Sequence, residues 1–252
     1  GEGFSPQGEV LLSGRQVNSA ERSDLGEMVR AAVLCNEADL HQRNGDWVWR
    51  GDAVDIAALS LGAKLGIHRG HVLEASPLAA GIPFEPERQF AATFHAAGER
   101  VEVFVKGAPE RVLDMCGEGV SLQDRQRMEE LAMSMAERGL RVLAVARGEL
   151  SGELRAEDIP PQPENLKLLG FLGMIDPLRA GAREAVADCH RAGVLVTMVT
   201  GDHHVTALAI AREHGARSVA EAGQPALIEA IQRATGAARG FKARGVVVVP
   251  AD

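Results

Sequence analysis

Two kinds of strand stand on either side of a proline-rich stretch, and one sheet type does not accommodate both. On the N-terminal side, Phe90–His95 meets Val101–Lys106 across Ala96-Ala97-Gly98-Glu99. The second arm alternates Val101, Val103 and Val105 with Glu102, Phe104 and Lys106, as a hairpin arm with two different faces does. On the C-terminal side, VLVTMVT at 194–200 is apolar almost throughout, as a strand covered on both faces is. Helical spacing at Ala180–Ala192, Val205–His214 and Gln224–Thr235 alternates with it and with strand runs at Leu168–Ile175 and Gly245–Val249. That alternation predicts a parallel sheet with crossover helices. Between the two textures lies SGELRAEDIPPQPENL, residues 151–166, with three prolines.

The chain therefore reads as α/β and α+β in two domains. Residues 1–163 predict an antiparallel sheet with flanking helices at Leu25–Leu40, Val54–Leu65, Ala108–Cys116 and Ser121–Arg138. A strand at Arg141–Arg147 and an extended patch in EVLLSGRQV complete it. Residues 164–252 predict a partial doubly wound α/β domain.

Charge and composition exclude several function classes. The net charge is -8, from 27 basic and 35 acidic residues, which argues against a nucleic-acid backbone as partner. Cys35, Cys116 and Cys189 form no C-x-x-C pair, so neither a zinc site nor a disulfide framework is read from them. The eight His include no H-E-x-x-H, and no G-x-S-x-G occurs. No apolar run reaches the roughly 18 residues that span a bilayer. GEGFSPQGEV has no basic n-region before an apolar stretch, and without Met it reads as an excised piece of a longer chain.

Four places carry candidate chemistry. Thr200-Gly201-Asp202 ends the apolar strand just before a helix, where ligands bind in open α/β sheets. Gly201 permits a tight turn, and the next helix offers N–H groups to an oxyanion. The plain alternative is Asp202 as a helix cap. Asp176-Pro177-Leu178-Arg179 ends the preceding strand, as a phosphate contact or as a turn with a surface ion pair. Lys106-Gly107 lies where a strand enters a helix, with small residues that leave room against the backbone. Its plain alternative is a solvated Lys. Phe84, between two prolines, is either a stacking face for a base or a core anchor.

Taken together, in order and spacing, residues 82–111 and 168–215 resemble the cytoplasmic ATP-handling region of P-type cation-transporting ATPases. VKGAPERVLDMC is similar to that family's nucleotide-domain signature. The stretch LLGFLGMIDPLRAGAREAVADCHRAGVLVTMVTGDHH is similar to its phosphorylation domain. GDAVDIAAL, IPFEPERQF and RGLRVLAVA fall in the same order, and the likeness points to the calcium- and cation-pump branch.

The resemblance implies a nucleotide-binding domain at 1–163 and a partial, haloacid-dehalogenase-like phosphorylation domain at 164–252. It implies ATP or ADP as ligand, with Mg2+ held mainly by motifs this chain lacks. Phe84 would stack on adenine. Lys106 and Gly107 would line the adenine and phosphate side, and Asp55 would contact adenine where relatives commonly carry Glu. Arg141 would approach the phosphates, and Gln89 stands where many relatives have Lys. Asp176, Arg179, Thr200, Gly201 and Asp202 would surround the γ-phosphate. The partners implied are the transmembrane and actuator parts of a parent pump, the fragment itself being soluble at the cytoplasmic face.

Two family motifs are absent from these 252 residues. The acceptor Asp of D-K-T-G-T is one, so no catalytic residue is assigned. G-D-G-x-N-D, which helps hold Mg2+, is the other. The chain is expected to bind nucleotide without turnover. A non-catalytic nucleotide-binding or interaction module is the alternative. A haloacid-dehalogenase-type phosphatase is a further one, for which a D-x-D nucleophile motif is missing.

Overall fold

The computed structural model describes residues 5–17, 23–117, 121–152, 154, 158–175, 181–199, 217–218 and 246–250. Two compact units divide the chain, one of residues 1–130 with 142–174, the other of 131–141 with 175–252.

The first unit opens with a small hairpin, β1 (Leu11–Leu12) and β2 (Arg15–Gln16), followed by helix α1 (Ser23–Leu34). A second hairpin joins β3 (Asp39–Arg43) to β4 (Asp46–Arg50). Helices α2 (Ala53–Lys64) and α3 (Arg69–Ala75) come next, then strands β5 (Leu78–Ile82), β6 (Phe90–Ala97) and β7 (Arg100–Gly107). Helices α4 (Pro109–Met115) and α5 (Leu122–Glu137) precede β8 (Arg141–Ser151) and β9 (Lys167–Met174). Strands β5 to β9 form one five-stranded sheet in that order, antiparallel from β5 through β8.

Alternation decides what each face of this sheet buries. Phe90, Phe94, Val103 and Val105 pack one face against Val112 and Met115 of α4. Ala91, Phe104 and Val145 pack the other against Ala31, Ala32 and Leu34 of α1 and Ala58 of α2. Lys106 is two residues from Phe104, so the pleat turns it to the α1–α2 face. The predicted hairpin is present, its loop shortened to Gly98-Glu99 with Ala97 opposite Arg100.

Two expectations are corrected. The first helix stops at Leu34, not Leu40. Asn36 ends it by bonding its side-chain oxygen to the backbone N–H of Ala38, 2.9 Å, which competes with helical pairing. The following residues form the β3–β4 hairpin, turned by Asn44 and Gly45 at φ 55 and 90. Asn-Gly is the favoured pair for such a two-residue turn. The run read at Leu168–Ile175 as a strand of the second domain is β9, the edge of the first sheet. An apolar run of that length suits a sheet edge covered by a helix as well as a parallel strand, and Leu172 is buried with α1.

In the second unit, helix α6 (Ala182–Arg191) leads into β10 (Leu195–Val199). Strand β10 pairs in parallel with β11 (Arg217–Ser218) on one side and β12 (Val246–Pro250) on the other. Parallel pairing and a preceding helix agree with the predicted α/β texture. The helices expected at Val205–His214 and Gln224–Thr235 lie outside the described residues. No helix among the described residues is long and apolar enough to cross a membrane.

Candidate functional site

Lys106 and Asp55 meet at one end of the five-stranded sheet. Lys106 is next to last on β7, and its ammonium donates to Oδ1 of Asp55. Asp55 stands in the first turn of α2, where a negative charge faces the helix's positive end. Asp52 caps that helix, its carboxylate accepting from the N–H of Val54 at 2.9 Å. Oδ2 of Asp55 accepts from the backbone N–H of Glu37 at 3.0 Å. Both carboxylate oxygens are thus occupied, and the pair is mostly withdrawn from water, with 9% of the Lys106 side chain and 14% of the Asp55 side chain exposed. The solvated lysine that a strand end first suggests is not what forms.

Gly107 follows Lys106 where β7 runs into α4. A Cβ there would lie 2.4 Å from the carbonyl oxygen of Gln89 and 2.7 Å from Cα of Phe90, so only glycine fits. Gln89 has φ 60, and its carbonyl accepts from the N–H of Ala108 at 2.9 Å. That turn brings the 83–89 loop back onto β6. Arg88 braces the loop through Glu85 at 3.1 Å and the carbonyl of Pro83 at 3.4 Å. Phe84 sits on this loop with 58% of its surface exposed, an unusual setting for a large aromatic side chain. The register sets Phe90 opposite Gly107 and Ile82 opposite Ala92, so Phe84, Gln89, Lys106 and Gly107 belong to one end of the sheet.

Arg141 is the first residue of β8 and is exposed. Asp176, Arg179, Thr200, Gly201 and Asp202 lie outside the described residues. Among the described residues, no three His, Cys, Asp or Glu side chains stand together as metal ligands.

Residues that the sequence did not assign to the site complete the surroundings. Cys35 is buried behind the pair, with its thiol donating to the carbonyl of Ala91 at 3.4 Å. Burial pushes that thiol up to about 11, which keeps it neutral and unreactive. Asn36 donates to the carbonyl of Asp55 at 2.9 Å. An Asn just past a helical run was the available signal, since such a residue commonly bonds the backbone locally.

The arrangement offers an exposed aromatic ring, a close backbone approach at a glycine, and a charge pair with no net charge. These are means of holding a flat, polar-edged ring rather than of breaking a bond. Residues 24–181 match the family described as P-type ATPase, cytoplasmic domain N. The chain belongs to that family.

A cation-transporting ATPase of Synechocystis is 37% identical over 247 residues, which is 93% of this chain and 27% of the relative. A protein of Mycobacterium tuberculosis named "Probable cation-transporting ATPase F" is 40% identical over 191 residues, 73% of this chain and 21% of the relative. A calcium-transporting ATPase of Bacillus subtilis is 29% identical over 223 residues, 84% of this chain and 25% of the relative. The chain thus spans about a quarter of the length of these relatives.

Proposed function

We propose that this chain is the ATP-gripping part of a membrane P-type cation pump, with a nucleotide-binding domain that runs through β9 and part of the phosphorylation domain after it. The buried Lys106–Asp55 pair beside the exposed Phe84 loop is the observation that carries this reading. Phe84 stacks on the adenine ring. Lys106, Gly107 and Asp55 line the inner wall, and Gln89 lies at the loop's return. Arg141 serves the phosphate end. Stacking of a base on an aromatic ring contributes about 1–3 kcal/mol, enough for weak binding.

The parallel β11-β10-β12 sheet supports a haloacid-dehalogenase-like core for the second domain. Its residues Asp176, Arg179, Thr200, Gly201 and Asp202 would receive the γ-phosphate. Mg2+ would neutralise phosphate charge when bound. The described residues supply no ligand set for it. Without the D-K-T-G-T aspartate among its residues, the chain binds ATP or ADP and does not form a phosphoenzyme.

A calorimetric titration of the chain with ATP, with and without Mg2+, tests this. Binding that is lost in Phe84→Ala and changes little with Mg2+ supports the reading. Absence of binding in the wild-type chain overturns it in favour of an interaction module.

A further inference from the structure

Asp55 and Lys106 sit on different elements, and something must hold the first turn of α2 at the distance their contact needs. Asn36 is placed to do so. It is 3% exposed and lies just past the end of α1. Its amide nitrogen donates to the carbonyl of Asp55 at 2.9 Å, and its amide oxygen accepts from the N–H of Ala38 at 2.9 Å. One partner can only accept and the other only donate, so the amide's orientation is fixed by its neighbours. The carbonyl of Asn36 accepts from the guanidinium of Arg69 at 2.8 Å, and its N–H donates to the carbonyl of Leu34 at 2.9 Å. The next residue, Glu37, donates its N–H to Oδ2 of Asp55 at 3.0 Å. Two consecutive residues therefore hold the main chain and the carboxylate of Asp55.

We infer that Asn36 is a positioning residue for nucleotide recognition: it orients Asp55 so that the carboxylate neutralises Lys106 and the pair presents a fixed, uncharged wall to the base. The inference rests on the nucleotide reading above. Its geometry is favourable because a buried amide with every polar group bonded has one orientation, whereas a side chain reaching from solvent has many. Replacing it by Ala removes the bond that Asn36 adds to the Asp55 carbonyl beyond its own helical pairing, and lets the first turn of α2 move.

A double-mutant cycle on the whole 252-residue chain separates this role from general stabilisation. ADP affinity is measured for wild type, Asn36→Ala, Asp55→Asn and the double variant. Asn36→Ala is expected to weaken ADP binding about tenfold, the worth of one buried hydrogen bond. In the Asp55→Asn background the same change should cost less than about twofold, because coupled residues are not additive. Equal losses in both backgrounds, or no loss, overturn the inference. If Asn36→Ala does not fold by circular dichroism, Asn36→Ser replaces it in the same cycle.

A ligand-free readout keeps the inference apart from the nucleotide reading. Hydrogen exchange of the Glu37 amide and the NMR shift of the Lys106 ammonium are followed in the same variants. If Asn36→Ala moves both toward their Asp55→Asn values, the positioning role stands even where wild type binds no ADP. If neither moves, the role fails whatever the affinity.

Discussion

The Lys106 ammonium and the Asp55 carboxylate are bonded to each other across 51 residues of sequence, mostly out of contact with water. Desolvating two charges is costly, and a buried pair often contributes less to stability than apolar side chains of the same volume. Its presence is better explained by specificity than by stability. A lone Lys at that sheet end would attract any anion. Paired with Asp55 it offers polar edges without net charge, which suits a nucleobase more than a phosphate.

Breaking the pair on one side should therefore harm folding more than removing both members. Asp55→Leu strands the Lys106 charge and is expected to cost about 3 kcal/mol, the lower end for buried pairs because some water reaches this one. Asp55→Leu combined with Lys106→Met should recover a good part of that loss. Urea denaturation of the three chains measures it. A double variant no more stable than Asp55→Leu would mean that the two charges do not depend on each other.

Phe84 should behave in the opposite way. It is exposed in the free protein, so Phe84→Ala should change stability by no more than about 0.5 kcal/mol, as ordinary surface substitutions do. ATP affinity should nonetheless fall about tenfold or more through the loss of stacking. Calorimetry of binding and of unfolding on the same samples distinguishes the two effects. A large drop in melting temperature would make Phe84 a packing residue instead.

Gly107→Ala should disturb both properties together. The added Cβ meets backbone at Gln89 and Phe90, which cannot swing aside as a flexible side chain would. Strain of this kind costs about 1–3 kcal/mol and pushes the Phe84 loop away from β7. A lowered melting temperature with weakened nucleotide binding is expected. An unchanged melting temperature would show that the loop yields freely.

The β6–β7 hairpin was legible because two short runs flank a Gly-containing loop, although its strands pair further in than the runs suggest, up to Ala97 and Arg100. Helix α2 was legible because Asp52 caps an apolar helical run. The β3–β4 hairpin was missed although Asn44-Gly45 signals it, because the helical spacing before it was carried past Asn36. Strand β9 was assigned to the wrong sheet since a short apolar run does not name its partners. At the site, Lys106 and Asp55 were singled out separately. Nothing in sequence spacing shows two residues 51 apart bonding to each other, for that depends on how α2 lies on the sheet. Asn36 escaped for the same reason.

His95 supplies the prediction about pH. Its ring is fully buried on β6, edge-on to Phe104 with centroids 5.6 Å apart. Nδ1 lies 2.9 Å from the carbonyl of Ser76, and since that carbonyl only accepts, Nδ1 carries the proton of the neutral ring. Nε2 has no partner, so a second proton there would be buried without an acceptor. Burial lowers the affinity of His95 for a proton below the ordinary 6.5, and nearby Arg30 and Arg69 add to this while Glu102 and the Ser76 carbonyl oppose it. The unfolded chain therefore takes up a proton first as pH falls. Stability is fully present above about 6.5, declines as pH drops below it, and stops declining once the folded protein is also protonated. His95→Gln removes the titrating ring and should flatten that part of the profile, with some stability lost at neutral pH for the poorer fit. Urea midpoints of both chains between neutral and mildly acidic pH measure the difference. Parallel profiles would show that His95 contributes nothing to acid sensitivity and that Nε2 finds an acceptor when charged.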